Sequence, residues 1–344
     1  MKGNTINRAC SHAVSAFSAV VIGILATVGD GSAQISSEPS SAPRTEAWPS
    51  KPIRVISPIG AGSAADILAR VFSEQLSLQL GQPVVVENRP GAGGTLGANA
   101  VAKAAPDGYT LLIHSNGHTI APAVYPNLPY DAVNDFIAVA PLAYFPNVLV
   151  VAPGKNIASL KALVDAARAK PGSMNYASGG VGTPTHLAAE RLRLSAAFDA
   201  QHIPFKSQPE ALTEVVAGRV DFYFCPVFPA LPLIREGKLV PLAVSGAKRV
   251  SVLPNVPTTQ EAGFPNSDFN FWVGLFVPAR TPSPIVAKLH DEAQKVMQAS
   301  AVLEKLSQLG VEPMSMPQAE FSAFVKSEVA ANGALAKAAG IAAQ

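Results

Sequence analysis

Apolar positions in this chain follow two periods that take turns. Ile53-Arg54-Val55-Ile56-Ser57 reads as a strand, and Ala64–Leu80 as a helix with Ile67, Val71, Leu76 and Leu80 at helical spacing. Gly81 stops that helix, because glycine takes the left-handed conformation after a helix end without steric cost. Val84-Val85-Val86 is a second strand, apolar on both faces as an interior parallel strand must be. Thr95–Ala104 is a short helix and Tyr109–His114 a third strand. This βαβαβ order predicts a parallel sheet with right-handed crossovers.

The pattern then repeats. Strands are expected at Asn147–Val151, Met174–Ala177, His202–Phe205, Val220–Phe224 and Leu239–Val244. Helices are expected at Ser159–Ala169, Pro184–Leu194, Pro209–Ala217 and Leu231–Glu236, with Ser159 as an N-cap and Pro184 in a first turn. Lys248–Asp268 is rich in proline and turn residues and reads as a connector. An apolar strand at Phe271–Val277 and three helices near Pro284–Gln298, Ala301–Leu309 and Gln318–Ala339 follow. The layout predicts an α/β protein with an inserted lobe. Residues 49–144 and 268–344 form lobe 1, residues 145–267 form lobe 2, and the two crossings make a hinge.

Composition narrows the function. Hydrophobic residues make up 48% and charged residues 15% of the 344, so a sizeable core is available and long disorder is not expected. The net charge of +2 comes with no cluster of Lys or Arg, which argues against a nucleic acid or an anionic membrane surface as partner. A monomer with no cofactor and no metal is the expected state. Lys2 and Arg8, the apolar run Ala13–Val28 and the small residues Gly31-Ser32-Ala33 read as a secretory signal cleaved before Gln34. The run is short for a membrane span, which needs about 20 apolar residues. Residues 34–48 read as a flexible leader. Export to the periplasm with Cys225 as the one remaining cysteine leaves no internal disulfide.

The chemistry is expected in Gly-rich loops at the carboxyl ends of strands, where open α/β sheets bind ligands. The first is Pro58-Ile59-Gly60-Ala61-Gly62-Ser63, leading into a helix with Asp66 in its first turn. Small residues allow close backbone approach, and the free N–H groups and dipole of the helix start favour an anion. Asn88-Arg89-Pro90-Gly91-Ala92-Gly93-Gly94 is a second loop and Ser115-Asn116-Gly117-His118-Thr119 a third. Ser178-Gly179-Gly180-Val181-Gly182-Thr183 repeats the design in lobe 2.

A rival reading exists. Gly60–Ala65 fits G-x-G-x-x-A, and Glu87 ends the next strand, as in a dinucleotide site of an exported α/β enzyme. The secretory signal and the lack of a hydride-transfer constellation count against it. No nucleophile elbow, phosphate-binding P-loop or H-E-x-x-H motif is present, and the histidines lack metal-ligand spacing. His186 could donate to a ligand or bond its own loop. Cys225 ends a strand, as a buried thiol or a cleft residue. Lys206 could neutralise a second ligand carboxylate.

Taken together, Ile53–Asp66 and Leu80–Gly94 resemble the Bug receptors, the periplasmic solute-binding proteins of tripartite tricarboxylate transporters. Similar stretches continue through Ala102–Leu112, Tyr125–Asp131, Asn175–Ser178, Gly182–Ala188 and Leu253–Thr258, so the resemblance covers nearly all of Trp48–Ile341. It implies a type II periplasmic-binding-protein fold with a hinged cleft and no enzymatic activity. It also implies a small carboxylate held by both lobes, with delivery to a membrane permease or a sensor domain. Carried over by position, the contacts would be Ile59, Gly60, Ala61, Gly62 and Ser63 with Asp66, then Ser115, Asn116 and His118. In lobe 2 they would be Gly179, Gly180, Val181, Gly182 and Thr183, with His186, Lys206, Ser207 and Cys225 nearby. Three positions depart from the family pattern. Phe205-Lys206-Ser207 replaces tyrosine-lysine-glycine, Cys225 stands where aspartate is common, and Asn332 where tryptophan is usual. Loss of the acidic group predicts a ligand without an amine.

Overall fold

The computed structural model describes residues 48–341, so the expected signal and nearly all of the leader lie outside the described residues. The chain folds into two α/β lobes, each built on its own mixed sheet. In order, the elements are β1 (Ile53–Ser57), α1 (Ala64–Leu80), β2 (Val84–Asn88), α2 (Thr95–Ala102), β3 (Thr110–Ser115), α3 (Gly117–Val124) and β4 (Phe136–Phe145). The second sheet starts with β5 (Asn147–Val151), followed by α4 (Leu160–Ala169), β6 (Asn175–Ser178), α5 (Pro184–Ala196), β7 (Gln201–Pro204), α6 (Gln208–Val216), β8 (Phe222–Pro226), α7 (Val227–Arg235) and β9 (Val240–Val244). The chain finishes with β10 (Phe271–Pro278), α8 (Ser283–Gln298), α9 (Ser300–Gln308), β11 (Glu312–Pro313) and α10 (Gln318–Ala338).

The first sheet has the order β11-β4-β10-β3-β1-β2, and the second β7-β6-β8-β5-β9. The parallel pairs β1–β2, β1–β3, β6–β7 and β6–β8 follow from the βαβ repeats. The parallel arrangement expected from that order holds for β1, β2 and β3, and the strands next to the crossings make both sheets mixed. β4 and β10 pair antiparallel with each other, β10 runs antiparallel to β3, and β5 runs antiparallel to β8 and β9. The pattern of local repeats holds no information on these partners, because they meet across long stretches of chain.

Three elements have no counterpart in the sequence pattern: β4, α3 and the two-residue β11. β4 is an apolar run interrupted by Pro141, which has no N–H for a ladder. The strand accepts it because its register against β10 shifts between Val273, opposite Ala143, and Gly274, opposite Pro141. Helix α3 begins at a glycine and carries Pro122 inside, two signals that ordinarily argue against a helix.

Local rules explain the ends of several elements. Gly81 takes φ 65° and closes α1 through its N–H to Ser77 O. Ser159 caps α4 by accepting from the Ala162 N–H at 3.1 Å. Core packs on both faces of each sheet. Phe72 and Leu76 of α1 meet Val139, Leu275 and Leu289 on one face of the first sheet, while Leu112, Trp272, Phe276 and Phe321 fill the other. In the second lobe Leu163, Leu187 and Phe222 pack on one face, and Val148, Tyr223 and Leu212 on the other.

Two strand crossings link the sheets. Between β4 and β5 lies only Pro146, and the return runs from Ser245 to Asn270. Ser245 ties them together: its N–H donates to Asn147 O at 2.9 Å, its hydroxyl donates to Phe269 O at 2.9 Å, and its carbonyl accepts from the Phe269 N–H. Helix α10 makes a third link. Asn332 donates to the Thr119 hydroxyl on α3 at 3.0 Å, and Ala339 O accepts from Arg193 of α5 at 3.0 Å.

Candidate ligand-binding site

Between the two sheets lies a cavity of about 650 Å³, within the range of small-molecule sites. It is lined by the turn after β1 (Pro58–Gly60), the loop after β2 (Pro90–Gly94), Tyr125, the loop after β6 (Gly179–Val181 and Thr183) and the end of β7 (Pro204–Lys206). Apart from Tyr125, which follows α3, these segments lie at carboxyl ends of parallel strands, the place the topology assigns to ligands.

The wall is mostly backbone. Among the described residues, the amides of Ile59, Gly60, Gly91, Ala92, Gly93 and Val181 donate to no protein acceptor. These donors come from both lobes. The loop after β2 winds through four consecutive positive φ values: Gly91 134°, Ala92 45°, Gly93 62° and Gly94 102°. A left-handed turn is open to glycine and costs an L-residue such as Ala92 about 1–2 kcal/mol. It leaves the leading N–H groups of the turn without protein acceptors, on residues that line the cavity. Gly94 also has to be glycine for space, since a Cβ there would lie 2.7 Å from the buried His114 ring.

Asp66 organises the first loop without lining the cavity. It is 1% exposed. Its Oδ2 accepts from the Gly62 N–H at 2.9 Å and from Arg70 Nε at 3.1 Å, and its Oδ1 accepts from Asn88 Nδ2 at 2.7 Å. Asn88 Nδ2 also donates to Ile59 O at 3.1 Å. With the Ile59 carbonyl and the Gly62 amide both bonded to side chains, the turn holds Ile59 and Gly60 in place at the cavity wall.

In the second lobe, side chains occupy most of the loop's other amides. Gly179 N–H donates to Thr185 Oγ1, Gly180 N–H to Ser178 Oγ, and Gly182 N–H to His186 Nδ1 at 3.3 Å. His186 stacks on His202, 3.8 Å between ring centres, and His202 Nε2 contacts Ser178 Oγ at 2.6 Å. Burial lowers His186 to about 4, helped by the nearby Arg193 charge, and lowers His202 to about 3, helped by His186. Both rings are therefore neutral at pH 7, as the Gly182–His186 bond requires.

A pH dependence follows. The folded values lie below the free-histidine value of about 6.5, so the unfolded chain binds more protons on the acid side. The stabilising contribution of these rings is complete above about pH 6.5 and is lost as pH falls toward 4. Urea midpoints should be level from pH 8 to 7 and fall steadily from 6.5 to 5. A His186→Gln variant should show a shallower fall, and an unchanged slope would refute the assignment.

The structure brings Ile59, Gly60, Gly179, Gly180, Val181, Thr183 and Lys206 together around the cavity. Ala61, Gly62 and Ser63, which lead into α1, are not among the lining residues. Ser115, Asn116 and His118 lie beneath the wall instead of on it, each 0% exposed. The reason is that α3 begins directly after β3 and covers its end. Asn116 is bound to the returning strand through its N–H to Trp272 O and its Nδ2 to Asn270 O. His118 donates from Nε2 to Ala132 O, 2.8 Å away, and packs against Phe136 and Phe276. Gly182 and His186 are taken up by their mutual bond, and Ser207 caps α6 at the Glu210 N–H. Cys225 is fully buried, with Sγ 3.6 Å from Val148 O, and burial pushes its thiol pKa up, so it is a core thiol and not a cleft residue.

Sequence reasoning named the loop after β2 but counted none of its residues as contacts. Its signal, consecutive glycines after a strand, was present. Tyr125 and Phe205 carried no such signal. Tyr125 hydroxyl donates to Val181 O at 3.2 Å and so bridges the lobes. Lys206 is the one charged side chain on the cavity wall, and it makes no ion pair among the described residues. The dinucleotide reading finds no support. Glu87 is taken up by Arg89 at 2.5 Å and Arg54 at 3.5 Å, and Gly60 faces the other lobe. No group of three or more potential metal ligands converges among the described residues.

The family model for the tripartite tricarboxylate transporter family receptor matches residues 68–341. A UPF0065 protein in the tcbD–tcbE intergenic region of Pseudomonas sp. strain P51 is 39% identical over 78% of this chain and 81% of its own length. Protein BugT of Bordetella pertussis is 32% identical over 90% and 93%. Among solved structures, an R. palustris protein with adipate superposes with a TM-score of 0.83 at 31% identity, over 86% of this chain and 100% of that one. MatC from Rhodopseudomonas palustris with bound malate gives 0.79 at 32%, over 84% and 99%.

Proposed function

The chain belongs to the receptor family of the tripartite tricarboxylate transporters, and on that premise we propose that it binds a small carboxylate between its lobes in the periplasm and hands it to a membrane permease. The observation that carries this reading is a single cavity lined from both lobes by residues whose amides have no protein acceptor, with Lys206 the one charged residue among them. Amides and one cation suit an anion. Each hydrogen bond to a charged group contributes about 1.5–3 kcal/mol. Three or four of them, less the ordering cost, account for the roughly 8 kcal/mol of a micromolar complex. The adipate and malate of its structural relatives are the chemistry that such a wall would hold.

In this reading, residues 49–144 with 268–344 and residues 145–267 move as two bodies about Pro146 and Ser245–Asn270. The contacts are the amides of Ile59, Gly60, Gly91–Gly93 and Val181, with Thr183 and Lys206. The protein acts as a monomeric receptor without catalysis, after removal of residues 1–33.

A thermal-shift panel tests the reading. Adipate, malate and succinate should raise the melting temperature, their methyl esters should not, and nucleotides should have no effect. No carboxylate side chain lines the cavity, so an amine would be desolvated without a counter-charge. Aspartate should therefore stabilise less than succinate; an equal or larger shift would refute an amine-free ligand. Lys206→Met should weaken dianions about tenfold, with a smaller effect in high salt.

A further inference from the structure

Helix α1 starts without a cap from its own lobe. The first N–H groups of any helix lack intrahelical acceptors. Ser63, in the N-cap position, makes no capping bond, and its hydroxyl is buried and unpartnered. The acceptor comes from the other lobe. Gln208, the first residue of α6, accepts from the Ala64 N–H through Oε1 at 3.0 Å, a buried bond. Gln208 itself is only 4% exposed. Its Cγ also lies 3.3 Å from where a Cβ on Gly179 would stand. One side chain thus touches the helix start behind the first cleft loop and the second cleft loop.

Its neighbours hold the same seam. A Cβ on Gly60 would lie 3.2 Å from Ser207 Cβ, and one on Gly62 would lie 3.7 Å from Pro209 Cγ. Opening of the cleft would break the Gln208–Ala64 bond and give both groups to water. Gln208 is not on the cavity wall, so it can act on a ligand only through the lobes' separation.

We propose that Gln208 is an interlobe latch: it caps α1 from the opposite lobe and sets how much of the receptor is closed, whether or not a ligand is present. It is a positioning residue, and its effect on ligand kinetics rests on the carboxylate reading above, while its effect on closure does not. In this role the helix-start amide of Ala64 belongs to the latch, which leaves the ligand to the turn amides of Ile59 and Gly60.

The test is small-angle scattering of the ligand-free full chain, paired with stopped-flow dissociation of adipate or malate. Gln208→Ala should give a larger radius of gyration than the parent protein and about fivefold faster dissociation, the size of one ordinary hydrogen bond. Gln208→Glu keeps an acceptor oxygen on a helix start that favours negative charge. It should stay as compact as the parent while binding the two dianions more weakly. A ligand-free Gln208→Ala protein as compact as the parent would overturn the proposal. So would a Gln208→Glu protein as open as Gln208→Ala. If neither acid binds the parent, the carboxylate reading fails, and the scattering comparison still decides the latch.

Discussion

Gly93→Val is expected to abolish carboxylate binding, with a loss of at least about 100-fold, while each lobe keeps its fold. Gly93 has φ 62°, and a Cβ there would stand 2.8 Å from Val181 O and 2.9 Å from the Tyr125 hydroxyl. Val181 belongs to the opposite lobe, and its carbonyl is backbone that cannot rotate aside. The clash is relieved by holding the lobes apart, which also separates the amides that meet the ligand. Overpacking of this kind costs about 1–3 kcal/mol and the left-handed backbone adds to it, so two decades in affinity are reasonable. Calorimetry with adipate or malate reads the loss, and circular dichroism checks the fold. Unchanged affinity would mean that ligand binds with the lobes in some other arrangement. The milder contact at Gly182, whose Cβ would stand 3.4 Å from Val124, predicts a smaller effect there.

Asp66→Ala is expected to cost both stability and affinity. The buried carboxylate is the shared acceptor of the Gly62 amide, Arg70 and Asn88. Its removal leaves the Gly62 N–H without its partner, and leaves the Ile59–Gly60 turn held by the Asn88–Ile59 bond alone. With about 1.5–3 kcal/mol for a hydrogen bond to a charged group, a loss near the upper end is expected in urea unfolding. Asp66→Asn keeps the shape and one acceptor, so it should recover part of the stability and less of the affinity. Equal affinity for Asp66→Ala and the parent would show that the turn is held by something else.

The parts legible in the sequence were those set by local rules. The helix from Ala64 to Leu80 could be read from its spacing and its Gly81 stop, and the strands at 53–57 and 147–151 from their apolar runs. The glycine loops could be read because glycine runs after strands are rare without a steric reason. What depends on distant contacts was not legible. Pro141 hid β4, because the register shift that tolerates it exists only once β10 is alongside. Ser115–His118 looks in sequence like a third cleft loop, yet α3 and the returning strand bury it. Cys225 lies within β8 and faces core and not cleft. Gln208 carries no local signal of its role, since the helix start that its Oε1 caps belongs to the other lobe. The departure at Asn332 is a packing matter, as its bond to Thr119 on α3 indicates.

The central claim is that backbone amides of both lobes hold the anion. Backbone amide NMR of the ¹⁵N-labelled protein during titration with adipate or malate tests it most directly. The amide resonances of Ile59, Gly60, Gly91–Gly93 and Val181 should move downfield together, with one saturation curve, as each N–H gains a charged acceptor. Saturable binding that leaves the amides of one lobe unmoved, or that shifts only residues away from the cavity, would contradict it.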